Sequence, residues 1–390
     1  MVAVKQFTLS DAILEKIHSR AASYDRENKF FSDDFNDLKK AGYLHLAVPT
    51  EFRGYGFNVA QVAQLQRRLA YNAPATALAI NMHFYFTGVA ADLWRSGDKS
   101  LERMLRETMK GEVFAAGHAE TGNDLPLLLS TTKAEKAPGG YKFTGRKSFG
   151  SLTPVWTRLG IHAMDASNPN APMIVHAFMP RDAKGYSIKE TWDVLGMRAT
   201  RSDDTILDGA FVPDKYIGRV LPAGAVDQFV LSVFAWADIG FSNVYYGIAL
   251  RARDLAVEGL KKRTSLGLTR SMAYHPEMQH AAAEMTLELE SMGPHIDKVA
   301  QDWANGVDHG HNWPMKIVSA KYHCVEGAGR VVDLALEMSG GFGMFKASEL
   351  ERLYRDVRCG RFHPANSALV HEIVGKTTLG IGLDEQPRWG

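Results

Sequence analysis

Apolar residues recur every three to four positions along the first hundred residues of the chain. Ile13, Leu14, Ile17 and Ala21 follow Ser10, and Phe35, Leu38 and Ala41 follow a Ser32 cap with Asp33 and Asp34 in the first turn. This spacing gathers apolar side chains on one helical face, and a capping hydroxyl can take an amide hydrogen left unpaired at the helix start. After the turn-rich break Val48-Pro49-Thr50-Glu51-Phe52-Arg53-Gly54-Tyr55-Gly56, the same period predicts helices over 59–71, 75–93 and 100–110. The texture then shortens to β-type runs at 141–144, 158–163, 172–179 and 205–212, punctuated by Pro138-Gly139-Gly140 and closed by Pro213. Turns at such short intervals predict a small all-β sandwich or barrel rather than strands alternating with helices. Long helical stretches follow at 229–262, 276–304, 314–338 and 366–379, with Pro314 at a permitted first-turn position and Gly340-Gly341-Phe342-Gly343 as an interruption. The pattern predicts an α+β multidomain chain: an N-terminal helical domain over 1–111, a middle β domain over 112–225 and a C-terminal helical bundle over 226–390.

Composition narrows the function without naming it. The 390 residues are 45% apolar and 23% charged, enough for a large core in two or three units. Lys plus Arg number 45 against 44 for Asp plus Glu, a net charge of +1, too balanced for a nucleic-acid binder acting through bulk charge, so a small-molecule substrate is expected. Cys324 and Cys359 stand far apart and outside any Cys-x-x-Cys spacing, which suggests neither a disulfide nor a zinc site. The longest apolar run, 229–237, includes Ser232 and stops at Asp238, short of the roughly 20 residues that span a membrane. The first 20 residues, with Lys5 but no apolar core, do not resemble a signal peptide, and a cytoplasmic protein is expected.

Familiar catalytic signatures are missing. Gly341-Phe342-Gly343 continues as Met344-Phe345-Lys346, so the third glycine of a dinucleotide fingerprint is lacking and a helix precedes it. His309-Gly310-His311 has no carboxylate or further histidine at helical spacing and is expected to be a solvated loop. Gly-x-Ser-x-Gly is absent, which leaves covalent hydrolase chemistry unsupported.

The order of several weaker motifs is more telling. Ala41-Gly42-Tyr43 through Gly56, Leu195-Gly196-Met197-Arg198-Ala199-Thr200-Arg201-Ser202-Asp203-Asp204-Thr205 with Phe211-Val212-Pro213, Arg263-Thr264-Ser265-Leu266-Gly267 with Gln279, Gly340-Gly341-Phe342-Gly343, and Leu350-Glu351-Arg352-Leu353-Tyr354-Arg355-Asp356-Val357-Arg358 succeed one another along the chain. Together they resemble the acyl-CoA dehydrogenase family of flavoproteins over almost its whole length, with Leu266 where the family usually has phenylalanine. The resemblance implies a helical domain, a β domain, a four-helix bundle and a homotetramer holding FAD. FMN is the alternative if the protein is a monooxygenase, and a flavin reductase or electron-transfer partner is implied. It places Phe149 beside the isoalloxazine, Ser151 near its reactive nitrogen and Asn366 at a flavin-contacting threonine position. Arg263 would meet the pyrophosphate with Gln279, Gly340 and Gly341 nearby, a fork of donors matching phosphate oxygens. The loop His118-Ala119-Glu120-Thr121-Gly122-Asn123-Asp124 matches the family's flavin-contacting loop only loosely.

The chain departs from the family where the reaction is decided. Removing an α-proton from an acyl thioester requires a base, usually glutamate in the family. In Arg361-Phe362-His363-Pro364-Ala365-Asn366-Ser367, Pro364 takes that place; Ala237 stands at the alternative one, with Asp238 where a substrate-contacting arginine usually lies. Three readings follow: acyl-CoA-type dehydrogenation with Asp238 or Glu372 as a substituted base; a flavin monooxygenase of the same fold using reduced flavin and O2, with His363 or His371 as proton donor; and a non-catalytic partner subunit. Acyl-CoA-type oxidation leads as the family's own chemistry.

Overall fold

The computed structural model describes residues 7–385; Lys5 and the rest of 1–6, with 386–390, lie outside the described residues. The first helical layer is α1 (Asp11–Arg26), α2 (Ser32–Lys40), α3 (Val59–Asn72), α4 (Pro74–Arg95) and α5 (Glu102–Met109). Ser10 caps α1 as its pattern predicts, its side chain accepting from the Ile13 amide at 3.4 Å. Ser32 does not cap α2: it is the first helical residue, and Phe31 stands before it with no side-chain hydrogen bond. Asp34 in that first turn is drawn inward instead, its carboxylate 2.9 Å from the Arg20 guanidinium and accepting from Thr76 at 3.2 Å.

Strands β1 (Phe114–Gly117), β2 (Lys133–Ala137), β3 (Gly140–Lys147), β4 (Arg158–Asp165), β5 (Met173–Pro180), β6 (Tyr186–Lys189), β7 (Asp204–Pro213) and β8 (Ile217–Pro222) form one mixed sheet. Its order is β6-β7-β3-β2-β4-β5-β8, with β1 parallel to β4. Half of these strands escape the sequence pattern, each for a local reason. β1 is a four-residue run buried on both faces, without alternation, and β2 is the polar Lys-Ala-Glu-Lys-Ala, held by its hairpin partner β3 rather than by strand propensity. β6 and β8 are short outer strands.

The chain returns to helices with α6 (Gln228–Lys262), α7 (Pro276–Ala304), α8 (Trp313–Ser339), α9 (Glu349–Arg358) and α10 (Ser367–Leu379). α6 packs against α3, α4, α7 and α8, which explains why its first two-thirds are buried nearly all round rather than along one stripe. α4 is buried almost throughout because it lies between α6 and the sheet. Two glycines allow that approach. A Cβ on Gly88 would sit 2.2 Å from the Trp236 ring of α6, and one on Gly160 of β4 would sit 2.1 Å from Phe86 of α4.

The sheet carries a buried ion pair at its centre. Lys147 Nζ donates to Glu120 Oε1 at 2.6 Å and to the His162 carbonyl at 2.5 Å, and both side chains are almost fully inaccessible. Glu120 also accepts from the Thr131 and Thr132 amides and from the Ser130, Thr132 and Asn123 side chains; against burial, which raises it, the Lys147 charge and hydrogen bond, then the hydroxyls, hold its carboxylate down at about 2. Burial in turn pulls the Lys147 ammonium down to about 8. Breaking such a pair strands one charge in a site that water cannot reach, so Glu120→Ala should cost about 3–5 kcal/mol of stability. Denaturant unfolding checks this, and the Glu120→Leu, Lys147→Met double variant should lose less than Glu120→Ala.

Candidate active site

A cavity of about 400 Å³ lies where the three layers meet. Leu78, Met82 and Tyr85 of α4 form one wall, Val233, Phe234, Ala237, Asp238 and Phe241 of α6 another, and the β layer adds His118, Phe149 and Ser151. The segment from Trp192 to Ser202 and the stretch after α9, including Cys359, His363 and Pro364, close it. Four residues expected from the sequence to act in flavin binding or catalysis therefore share one cavity: Phe149, Ser151, Asp238 and His363.

The others lie elsewhere. Arg263 lines a second, open cavity of about 360 Å³ together with Met338, Ser339 and Phe342, sharing no lining residue with the first. Its guanidinium donates to the Ser339 carbonyl at 2.6 Å and to the Met338 carbonyl at 2.5 Å, closing the end of α8, so three of its five N–H groups remain. Gly340 adjoins it, since a Cβ there would be 3.7 Å from Arg263 Nη1, whereas the Gly341 Cβ would meet open space. Gln279 donates to the Ala273 carbonyl at 3.1 Å. Asn366 caps α10, its side chain accepting from the Leu369 amide at 3.0 Å. On α10, His371 is exposed, its Nδ1 2.7 Å from the Ser367 carbonyl, and Glu372 pairs with Lys376 at 3.0 Å; neither lines the cavity.

Inside the cavity the polar groups form short chains. Thr200 Oγ1 donates to the Met197 carbonyl at 2.9 Å and lies 2.8 Å from Ser202 Oγ, which lies 2.7 Å from Ser151 Oγ. Since each hydroxyl has one hydrogen, the chain runs from Ser151 to Ser202 to Thr200 to the Met197 carbonyl, which leaves the Ser151 oxygen free to accept from a ligand. Tyr85 Oη lies 2.5 Å from His118 Nδ1, and His363 Nε2 lies 2.7 Å from Tyr245 Oη with its ring stacked on Phe241 at 4.3 Å. Asp238 is 1% exposed, and neither of its carboxylate oxygens has a hydrogen-bond partner among the described residues. Burial raises its carboxyl to about 7, opposed by the nearby Lys321 ammonium. Tyr85 was invisible in the sequence, because an aromatic in a buried helix looks like core, and Thr200 and Ser202 stood out only as members of the 195–205 motif, since a hydroxyl chain has no spacing signature. His118 was visible only as part of a loosely matching loop.

Comparison with known proteins gives a consistent result. The description "Acyl-CoA dehydrogenase, N-terminal domain" matches residues 6–112, and "Acyl-CoA dehydrogenase, C-terminal domain" matches 229–377. The provisionally named acyl-CoA dehydrogenase YdbM of Bacillus subtilis (strain 168) is 27% identical over 93% of this chain and 94% of its own. L-evernosamine nitrososynthase of Micromonospora sp. (strain ATCC 39149 / NRRL 15099 / SCC 1413) is 28% identical over 95% of this chain and 89% of its own. Among solved structures, KijD3 in complex with FMN and dTDP-3-amino-2,3,6-trideoxy-4-keto-3-methyl-D-glucose superposes with a TM-score of 0.83 at 26% identity, covering 96% of this chain and 93% of that one.

The cavity also borders a row of buried imidazoles. The His118 and His162 rings lie 5.3 Å apart and the His162 and His176 rings 6.1 Å apart; His83, behind them, accepts the Phe114 amide hydrogen at 3.2 Å. Burial pushes His83 down to about 4, His176 and His363 to about 3, and His118 and His162 well below the usual range. The unfolded chain charges these rings near pH 6.5 while the folded one does not, so acid favours unfolding. Stability should be full above about pH 6.5 and fall as pH drops toward 5, by roughly 1.4 kcal/mol per histidine per pH unit. Denaturation midpoints against pH check this. In His176→Leu, whose native ring nitrogens have no partner among the described residues, the slope should be shallower by about one proton.

Proposed function

This chain belongs to the acyl-CoA dehydrogenase family, and from that premise we propose that it is a flavin-dependent monooxygenase oxidising a small substrate at nitrogen, rather than a dehydrogenase of acyl thioesters. The observation that carries the reading is the cavity itself. It gathers the flavin-side residues Phe149 and Ser151 with Tyr85, His118 and His363, groups that are neutral near pH 7, and it has Pro364 where the resemblance puts the catalytic glutamate. The nitrososynthase and KijD3 relatives support chemistry at an amine.

The residues fit a flavin. Phe149, 60% exposed, offers its ring as a flanking face, and Ser151, donating to Ser202, offers a buried hydroxyl oxygen as an acceptor. Bound and reduced, the flavin supplies two electrons to oxygen. The protein's share is to hold the ring through Ser151, to exclude water with Met82, Val233, Phe234 and Phe241, and to keep a proton at Tyr85 or His363 for the product. In this reading the flavin is FMN, which KijD3 binds in its solved complex, and a separate reductase supplies it reduced. A second subunit of a homotetramer would cover Phe342, Met344 and Phe345, which are 79%, 75% and 63% exposed.

Supplying FMNH2, O2 and an amine to the protein should give oxygen-dependent consumption of the amine, followed by mass spectrometry. Oxidised holoprotein mixed anaerobically with a panel of acyl-CoA thioesters should keep its flavin absorbance; bleaching by any of them would overturn the reading in favour of dehydrogenation. Ser151→Ala should weaken flavin binding roughly 5- to 10-fold, the worth of one hydrogen bond, in a fluorescence titration.

A further inference from the structure

The cavity wall contains one carboxyl group, and we propose that Asp238 is the anchor for the substrate's nitrogen, accepting hydrogen bonds from the N–H groups of a small, largely apolar amine. The proposal rests on the monooxygenase reading and adds to it the residue that selects the substrate.

The argument begins with an unpaid desolvation. A carboxylate withdrawn from water without donors is costly, and buried acids are ordinarily paired or hydrogen-bonded. The donors around Asp238 bond to other acceptors. Lys321, on α8, donates from Nζ to the His363 carbonyl at 3.1 Å and the Ala365 carbonyl at 2.8 Å, and its third N–H makes no hydrogen bond to the Asp238 carboxylate. Tyr85 on α4 is engaged with His118, and His363, in the stretch after α9, with Tyr245. On α6 itself, Ser242 donates to the backbone carbonyl of Asp238 at 2.7 Å and not to its carboxylate. Protonation would remove the charge and still leave both oxygens without a donor among the described residues. The Lys321 charge favours the ionised form without bonding to it. A ligand carrying N–H donors completes the site.

The surroundings define the rest of that ligand. Met82 faces the cavity from α4, and Val233, Phe234, Ala237 and Phe241 from α6. This lining accepts an alkyl or aryl body next to a single polar head, the usual division of labour in a small-molecule pocket. The head must donate: an alcohol of the same shape presents one hydrogen where an ammonium presents three.

Calorimetric titration of the oxidised holoprotein at pH 8 with benzylamine and with benzyl alcohol tests this without any turnover. Benzylamine should bind about 10- to 100-fold more tightly, the worth of hydrogen bonds to a charged group. In Asp238→Asn, with flavin content and helix content checked, the preference should disappear. Equal affinities in the wild type, no binding of either probe, or a preference that survives Asp238→Asn would each overturn the proposal. The wild-type comparison stands even if the variant does not fold. Loss of oxygen-dependent turnover with the amine preference intact would reject the monooxygenase reading and leave the anchor; turnover without the preference would do the reverse.

Discussion

Helix α4 can lie between α6 and the sheet only because both neighbours let it come close, and the site depends on that contact. Trp236 of α6 fills the space that a side chain at Gly88 would need, and Phe86 of α4 fills the space above Gly160. Asp92, one turn beyond Gly88, accepts from the Trp236 indole at 2.7 Å and the Trp303 indole at 2.9 Å, tying α4 to α6 and α7. With α4 held, Leu78, Met82 and Tyr85 form a rigid wall facing α6, and Phe86 packs against His118 and Phe178 of the β layer. The cavity is the volume these close-packed layers leave.

Polar groups in this interior follow two different policies. Glu120 is over-satisfied, with donors from backbone, hydroxyls, amide and ammonium, and it organises the loop between β1 and β2 around one carboxylate. The Asp238 carboxylate receives no hydrogen bond among the described residues, at the boundary between helices and cavity. The first arrangement builds structure and the second leaves a capacity for a ligand. The buried histidines are neutral for the same reason in both regions: removal from water disfavours the charged imidazole more than any neighbour restores it.

The long helices were legible because their apolar period persists for many turns: the helix expected over 276–304 is α7, and the one expected over 229–262 is α6 less one residue. The four longer strands were legible for the same reason, whereas β1, β2, β6 and β8 draw their stability from partners that local sequence does not reveal. Of the candidate site, Phe149, Ser151, Asp238 and His363 could be picked out through the family resemblance. Tyr85 could not, because an aromatic in a fully buried helix looks like core. His371 and Glu372 share a helix that the cavity does not reach, so their chemistry suggested a role that their positions in this fold do not supply.

By itself the sequence indicated the helix, sheet, helix order, the long helices, the four longer strands and the resemblance to the family, since each is carried by periodicity or by a short local motif. The tertiary structure alone decided that residues from positions 78 to 364 meet in one cavity, that Arg263 donates to the end of α8, and that the Asp238 carboxylate is buried without a hydrogen-bond partner among the described residues. Those properties depend on what lies across a few ångströms of packed interior from each side chain. Distance along the chain carries no information about that.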